Sequence, residues 1–221
     1  MNSTLRGLAY IKIRDKILKL DYLPGQKISE QAIMTEIELG RTPTREAVIQ
    51  LESDGFLNVI PQSGTYISKI NLNSVRNACF ARENIEKEVI KEVALSHSLA
   101  DIDKLSKIIE LQKFYAGIKD IEKFFQVDED FHKHLYYISN KEELWDWLDP
   151  LNSQLTRFRW LRLKVTEQKW QNTINQHLAI INAITNFNPN GAEIIMQKHL
   201  HAILDEQPKI VSKFPNYFTN I

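Results

Sequence analysis

The chain has 221 residues, 43% of them hydrophobic, which suffices for two small domains with sizeable cores. Its 28 basic and 28 acidic residues leave no net charge. Binding to a nucleic acid would therefore depend on basic side chains that are clustered on one part of the surface. The lone cysteine, Cys79, excludes an intrachain disulfide and a thiolate zinc site. No apolar run reaches the roughly 18 residues of a spanning helix, and the N-terminus is too polar for a secretory signal. We therefore expect a cytoplasmic protein without a membrane partner.

The first third of the chain has the pattern of three helices. Residues 8–20 carry apolar side chains at amphipathic spacing. Ser29 is placed to cap a second helix. A third helix begins near Pro43, which a first turn tolerates because its N–H groups have no intrahelical partner. Gly55 is expected to end this third helix.

Two β-rich runs follow these helices, at 56–60 and 65–69, with a turn between them. Helix, tight turn, helix and hairpin make up a winged helix-turn-helix. The second helix of that motif lies in the major groove of DNA and reads it with N-terminal residues. Since the apolar residues of this helix should face inward, its outer side is expected to carry Arg41, Thr44 and Arg45.

Four runs occur here in one order: PGQKISE at 24–30, RTPTREAV at 41–48, LESDGFL at 51–57 and PQSGTYIS at 61–68. Together they resemble the DNA-binding domain of the GntR family of bacterial transcription regulators. The resemblance implies that Arg41, Thr42 and Arg45 contact DNA, and that the wing glycine, Gly64, approaches the minor groove. The alternative is that the two arginines only form solvated ion pairs with neighbouring glutamates.

Two positions of the helix–helix turn depart from that family's pattern. Glu38 stands where the turn usually has a glycine, and a left-handed backbone there would cost a non-glycine residue roughly 1–2 kcal/mol. Gly40 stands in place of the usual serine, so the reading helix is expected to lack a side-chain cap.

From Ser74 onward the strand signal disappears, and apolar residues recur at three- and four-residue spacing. We predict six helices, at 73–98, 101–118, 120–139, 141–164, 170–187 and 189–206. Their short connections favour antiparallel neighbours in a bundle. The expected fold is mainly α, with a winged helix-turn-helix domain at 1–70, a linker at 71–74 and an all-α helical bundle at 75–221.

The bundle contains a carboxylate and three histidines with the chemistry of a metal site. Asp128 and His132 are four residues apart, so they share one face of a helix. His177 and His199 lie on or beside apolar stripes and should also point inward. One carboxylate and three imidazoles suit a divalent transition metal. The alternative is that each histidine is a hydrogen-bonded core residue.

Three motifs carry a second resemblance: D-x-x-F-H-x-x-L at 128–135, a histidine before I-x-x-A-I at 177, and M-x-x-H-L at 196–200. Residues 75–205 resemble the all-α effector domain of the FadR-type GntR subgroup, called the FCD domain. In the metal-binding branch of that subgroup, the matching residues hold one ion. The resemblance thus implies Zn, Ni, Mn or Fe at Asp128, His132, His177 and His199.

Four protein ligands leave one or two coordination positions open, which a small carboxylate or hydroxy acid could fill. An arginine inside the bundle would hold such an anion in a bidentate pair. Arg82 matches an arginine of the subgroup's first effector helix and is the first candidate. Arg157 and Arg159 lie on a later helix, where one of them, Arg159 above all, could face the same cavity. The alternative is that these arginines form ion pairs at the surface.

These features indicate a metabolite-responsive transcription regulator, a repressor that binds a palindromic double-stranded DNA operator as a homodimer. The metal could instead be structural, or could itself be the signal without an organic acid. A metal-dependent hydrolase is a third interpretation, because an open coordination position can activate water. No motif places a separate general base, and a DNA-reading domain would then have no use. We therefore do not expect an enzyme.

Overall fold

The computed structural model describes residues 4–165 and 170–220, and within these ranges the fold is mainly helical, as predicted. The first half consists of α1 (Leu5–Leu18), β1 (Lys27–Ile28), α2 (Glu30–Ile37), α3 (Arg41–Ser53), β2 (Leu57–Ile60) and β3 (Gly64–Ile67). The second half consists of β4 (Ile70–Asn71), α4 (Leu72–Leu95), α5 (Leu99–Gly117), α6 (Ile121–Ile138), α7 (Glu142–Val165), α8 (Trp170–Thr185), α9 (Pro189–Lys213) and, after a short 3₁₀ turn, β5 (Phe218–Thr219).

The first half is a winged helix-turn-helix, which confirms the predicted architecture. Helix α1 packs on α2 and α3 around a core that includes Ile13, Ile17, Ile33 and Leu51. Strands β2 and β3 form the antiparallel wing, and β1 pairs with the outer side of β3. Strand β1 was not predicted, because two residues carry no alternation that a sequence pattern could register.

Local signals set the ends of the two helices of the motif. The side chain of Ser29 accepts a hydrogen bond from the Ala32 N–H, as an N-cap does. Glu38 ends α2 in the left-handed conformation at φ 56°, so the strain expected at this position is present. Gly40 precedes α3 without a side-chain cap, again as expected. Gly55, at φ 78°, follows the end of α3.

The second half is a helical bundle with one continuous apolar core. Helix α4 lies at its centre and packs against α6, α7, α8 and α9. The described helices begin and end close to their predicted limits, except that α9 runs through Pro208 to Lys213, beyond the predicted end at 206. Within residues 4–165 and 170–220, no helix combines the length and the apolar character that crossing a bilayer requires.

The segment predicted as a linker at 71–74 has regular structure. Ile70–Asn71 forms β4, which pairs in parallel with β5 near the C-terminus. The side chain of Asn71 accepts hydrogen bonds from the first N–H groups of α4, which begins at Leu72. Phe218 of β5 is 3% exposed, so the apolar C-terminal segment packs on the bundle. Pairing between such distant segments leaves no local pattern in the sequence, so the regular structure of this connecting segment was not predictable.

Candidate metal centre and nucleic-acid interface

Three imidazoles from three different helices meet inside the bundle. His132 comes from α6, His177 from α8 and His199 from α9. Nε2 of His199 lies 3.2 Å from Nε2 of His132 and 3.3 Å from Nε2 of His177. Each of the three residues can offer one ligand atom to a common point, since these atoms lie within 4.8 Å of one another.

The opposite nitrogen of each ring is held by a hydrogen-bond acceptor. Nδ1 of His132 donates to Oε2 of Glu86 at 2.6 Å. Nδ1 of His177 donates to Oε1 of Gln112 at 2.9 Å, and Nδ1 of His199 to Oε1 of Gln176 at 2.8 Å. A neutral imidazole that donates through Nδ1 carries a lone pair on Nε2. Three lone pairs are therefore directed at one another.

Two of these rings have the charge state, and the cluster has the spacing, that a metal ion requires. Burial lowers the pKa of His177 to about 3, and burial together with the neighbouring imidazoles holds the pKa of His199 well below its usual value. Both rings are therefore neutral at pH 7. Nitrogen ligands 2.0–2.1 Å from a tetrahedral ion lie about 3.3–3.4 Å apart, close to the two distances found here. The imidazoles thus fit a divalent transition metal.

Asp128 lies beside this cluster but is held by other groups. Its Oδ1 is 3.7 Å from Nε2 of His177 and accepts a hydrogen bond of 3.1 Å from Nε2 of Gln112. Its Oδ2 is 2.6 Å from Nη2 of Arg159. Burial alone would raise the pKa of Asp128, but the positive charge of Arg159 outweighs burial and holds this pKa below its usual range. The carboxylate is therefore ionised and within a short movement of the imidazoles.

Glu86 connects the cluster to a buried arginine. Its Oε1 accepts a hydrogen bond of 2.7 Å from Nε of Arg82, and its Oε2 accepts from His132. Burial would raise the pKa of Glu86, but Arg82 and His132 outweigh burial and lower it to about 2. A carboxylate behind a ligating histidine fixes the orientation of the ring and increases its basicity.

A small cavity adjoins the imidazoles. Its volume is about 30 Å³, and Arg82, Arg159 and Arg162 are among its lining residues. One water needs ~10–15 Å³ in this measure, so the cavity has room for about two waters. Nη2 of Arg82 has no hydrogen-bond partner among the described residues, whereas Arg159 is engaged by both Asp128 and Glu129. Of the two predicted anion-binding arginines, Arg82 has a buried terminal nitrogen without a partner, whereas both terminal nitrogens of Arg159 bind carboxylates.

Sequence reasoning missed the residues that orient the imidazoles. Glu86 belongs to none of the motifs that predicted the metal site, yet it is 1% exposed. Gln112 and Gln176 also lie outside those motifs. Gln112 left a usable signal, because a polar amide four residues after Ile108 must face the core and needs a hydrogen-bond partner there.

The first turn of α3 presents three of the four residues predicted for it. Arg41, Thr42 and Arg45 are exposed. Within residues 4–165 and 170–220, neither arginine forms an ion pair, so the alternative role of pairing with neighbouring glutamates is not realised. The prediction that Thr44 faces outward is wrong. Thr44 is 0% exposed and its hydroxyl donates to the Gly40 carbonyl, because it precedes the inward residues Ala47 and Val48 by one helical turn.

Gly64 opens β3 at the tip of the wing. Its φ of +135° is a conformation that other residues rarely adopt, and an added Cβ would lie 2.7 Å from Cε of Lys27. A glycine is therefore required by the backbone itself. This requirement is compatible with a close approach to DNA.

Comparisons with known proteins agree with this architecture. Residues 6–67 match the family described as bacterial regulatory proteins, gntR family, and residues 78–202 match the FCD domain. The chain is 27% identical over 210 residues to the HTH-type transcriptional repressor RspR of Escherichia coli K12, covering 95% of this chain and 92% of RspR. It is 30% identical over 219 residues to an HTH-type transcriptional regulator of Streptomyces ambofaciens, covering 97% and 90% respectively.

Among solved structures, Escherichia coli McbR/YncC has the same fold, with a TM-score of 0.72 at 16% identity over 92% of this chain and 99% of that chain. The two family matches occur in the order in which the winged half and the bundle occur here. The relatives are transcription regulators, so the interpretation as a metal-dependent hydrolase is discarded. This chain belongs to the GntR family of bacterial regulatory proteins and carries an FCD domain.

Proposed function

We propose that this transcription regulator is a repressor whose bundle binds a divalent transition metal and a small organic acid, and whose winged domain binds a palindromic operator as a homodimer. The winged domain comprises residues 1–70 and the effector domain residues 75–221. The observation that carries the metal proposal is the convergence of three Nε2 lone pairs in a buried site. The similarity of this chain to the repressor RspR, over most of the length of both proteins, supports repression as opposed to activation.

The metal ligands in this proposal are His132, His177 and His199, joined by Asp128. The nitrogen-rich donor set favours Zn²⁺ or Ni²⁺, with Mn²⁺ and Fe²⁺ as alternatives. When bound, the ion supplies positive charge and open coordination positions for a carboxylate. Glu86, Gln112 and Gln176 keep the rings turned so that Nε2 faces the common point.

Glu86→Gln is expected to weaken metal binding roughly 10- to 100-fold, as loss of an orienting carboxylate behind a ligating histidine does. Calorimetric titration of the metal-free protein with Zn²⁺ measures the change. Glu83→Gln is the matched control, since Glu83 lies on the same helix but contacts Gln197 and His201. Equal affinities for the two variants would contradict the role of Glu86.

The acid is proposed to bind between the ion and Arg82. The free Nη2 of Arg82 points to an anion, because a buried guanidinium without full hydrogen bonding is costly. An acid of several carbon atoms exceeds the roughly two-water cavity, so the lining side chains must move to admit it. Both terminal nitrogens of Arg159 already bind carboxylates, so Arg82 is the first partner proposed for the acid.

Arg82→Lys is expected to reduce acid binding, because lysine lacks the planar fork that holds a carboxylate in a bidentate pair. The probe is malonate, added to Zn²⁺-loaded protein while the melting temperature is followed. Malonate should raise the melting temperature of the wild type, and the increase should fall by at least half in the variant. Arg76→Lys, on the same helix, is the control. An undiminished increase in Arg82→Lys would remove Arg82 from the acid site.

The small cavity also favours a second candidate, in which the metal alone is the ligand and is structural or is itself the signal. Ligands that bind only the folded state raise the melting temperature according to their concentration and affinity. Melting is therefore compared with malonate alone, with Zn²⁺ alone and with both. An increase from Zn²⁺ that malonate does not extend favours the second candidate.

Selection from a pool of random duplexes tests the DNA-binding part of the proposal. Because a dimer places two reading helices in successive major grooves, the enriched sequence should be an inverted repeat with half-site centres about one helical turn apart. Light scattering of the complex should give two chains per duplex. Enrichment of no sequence, or of a single half-site bound by one chain, would contradict it.

A further inference from the structure

Arg157 is a buried guanidinium that joins the two halves of the chain. It lies on α7 and is 0% exposed. Its Nη2 donates to the carbonyl oxygen of Ser68 at 2.6 Å, and its Nη1 to the Ser68 hydroxyl at 3.2 Å and to Oε1 of Gln154 at 3.4 Å. Its Nε has no hydrogen-bond partner in the described part of the chain, and no carboxylate there forms an ion pair with it.

An unpaired charge in this position opposes stability. Burial lowers the pKa of Arg157 to about 10, which shows how poorly its surroundings solvate the cation. A buried charge without a counter-charge is costly, and well-packed apolar side chains often serve stability as well or better. Packing alone therefore does not explain an arginine here. What the guanidinium adds is a fixed hold on Ser68.

Ser68 is the point at which the wing meets the bundle. It follows β3 directly, and its N–H donates to the Phe56 carbonyl beside β2, so both wing strands are linked to it. The partner Gln154 also accepts a hydrogen bond from the Asn71 N–H in β4. Because these hydrogen bonds join α7 to both segments, a displacement of α7 at Arg157 also displaces the wing and β4.

Two residues further along α7, Arg159 faces the other way, into the cavity beside the imidazoles. It pairs with Asp128 and Glu129 of α6 and lies over the ring of Phe125. Helix α7 thus carries one arginine directed at the metal centre and one directed at the winged half. Residues two apart on a helix point to different sides, so a single rotation or shift of α7 moves both contacts.

Asp128 links the occupancy of the centre to Arg159. Its carboxylate is bound by Arg159 and lies 3.7 Å from Nε2 of His177. Coordination of a cation by Asp128 at the imidazoles weakens its attraction for Arg159, because the negative charge is then shared. We propose that Arg157 is a positioning residue, which converts the resulting displacement of α7 into a changed placement of the wing. This inference rests on the metal part of the proposed function.

The interface between the halves has room for such a movement. A cleft of about 640 Å³ separates the wing and junction from the first half of α7, with Asn58, Ser68 and Lys69 on one side and Pro150 and Gln154 on the other. The remaining contacts there include Arg14 with Asp149, whose side chains are 22% and 65% exposed. An exposed pair of this kind contributes little. The halves also meet through Leu20, which packs in the bundle core, and through Lys164 of α7, whose Nζ donates to the Lys19 carbonyl at 2.6 Å.

The test measures how much Zn²⁺ changes operator affinity, expressed as the ratio of the dissociation constants with chelator and with Zn²⁺. The operator is the duplex obtained by selection. In the wild type we expect Zn²⁺ to change the dissociation constant at least tenfold. In Arg157→Met the change should be less than twofold. Zn²⁺ affinity, measured by calorimetry, should stay within threefold of the wild type in that variant. Arg14→Met is the control, since it removes another contact between the halves, and it should retain the wild-type ratio.

Arg157→Lys provides a second variant if the methionine protein does not fold. It keeps the charge but lacks the rigid fork whose two nitrogens reach the two Ser68 oxygens separately, so its ratio should also fall. Hydrogen exchange at residues 66–71 gives an independent readout: Zn²⁺ should alter exchange there in the wild type and not in either Arg157 variant. A full wild-type ratio in a folded Arg157 variant overturns the inference.

Failure of this inference and failure of the proposed function give different results. A wild type that binds Zn²⁺ and operator, but with a ratio of one, overturns the coupling and leaves both binding activities in place. A wild type that takes up no Zn²⁺ removes the metal centre, and the coupling with it.

Discussion

Wild-type protein purified without chelator should carry about one transition-metal ion per chain, and His177→Ala should lose at least roughly 100-fold in affinity. Loss of an orienting residue behind a ligand costs 10- to 100-fold, and His177 supplies a ligand atom itself. It is fully buried and its Nε2 lies 3.3 Å from that of His199. Elemental analysis measures the metal content, and Zn²⁺ titration of metal-free protein measures the affinity.

His201→Ala is the matched control for His177→Ala. His201 lies two residues from His199 on α9, but its side chain is 52% exposed and contacts Glu83 instead of the cluster. Its removal should leave metal content unchanged. Circular dichroism must show that both variants keep their helices. A metal-free wild type whose melting temperature does not respond to Zn²⁺, Ni²⁺ or Mn²⁺ would eliminate the centre.

Arg45→Ala should reduce operator affinity at least about 30-fold, because a good bidentate contact to a base is worth about 1–3 kcal/mol and a dimer loses two of them. Arg45 is exposed in the first turns of α3 and has no ion pair among the described residues, so its removal should not alter folding. Titration of labelled operator by fluorescence anisotropy, at several salt concentrations, measures the loss.

Lys107→Ala controls for the loss of one positive charge. Lys107 lies on α5, where it pairs with Asp103 outside the winged half. Its replacement should leave operator affinity within twofold of the wild type. The melting temperature of Arg45→Ala should equal that of the wild type. Unchanged operator affinity in a folded Arg45→Ala protein would place DNA recognition elsewhere.

Elements defined by neighbouring residues were predictable from the sequence, and those defined by distant partners were not. Ser29 and Gly55 mark helix ends through hydrogen bonds and backbone conformations that involve adjacent residues only. By contrast, β1 exists because it pairs with β3, and β4 because it pairs with β5. The error at Thr44 has a different origin. A threonine hydroxyl can donate a hydrogen bond to the helix carbonyl four residues earlier. This bond satisfies the hydroxyl, so the polar side chain can lie on the buried face of the helix.

The candidate metal centre likewise combines features that were predictable from the sequence with features that were not. Helical periodicity and family resemblance together predicted that three histidines would face inward, and they meet. The partner of Asp128 could not be predicted in this way, because Arg159 reaches it from a different helix. Glu86 and Gln176 likewise acquire their roles only when α4, α6, α8 and α9 have packed.

The parallel pairing of β4 with β5 has a consequence for biosynthesis. β4 leaves the ribosome well before α5–α9 have been translated, whereas β5 is made after all of them. The joint between the winged half and the bundle therefore remains incomplete until β5 has been translated, so a nascent chain that ends before β5 lacks the β4–β5 contact between them. A bulky fusion placed next to Phe218 would reproduce that unfinished state in the mature protein.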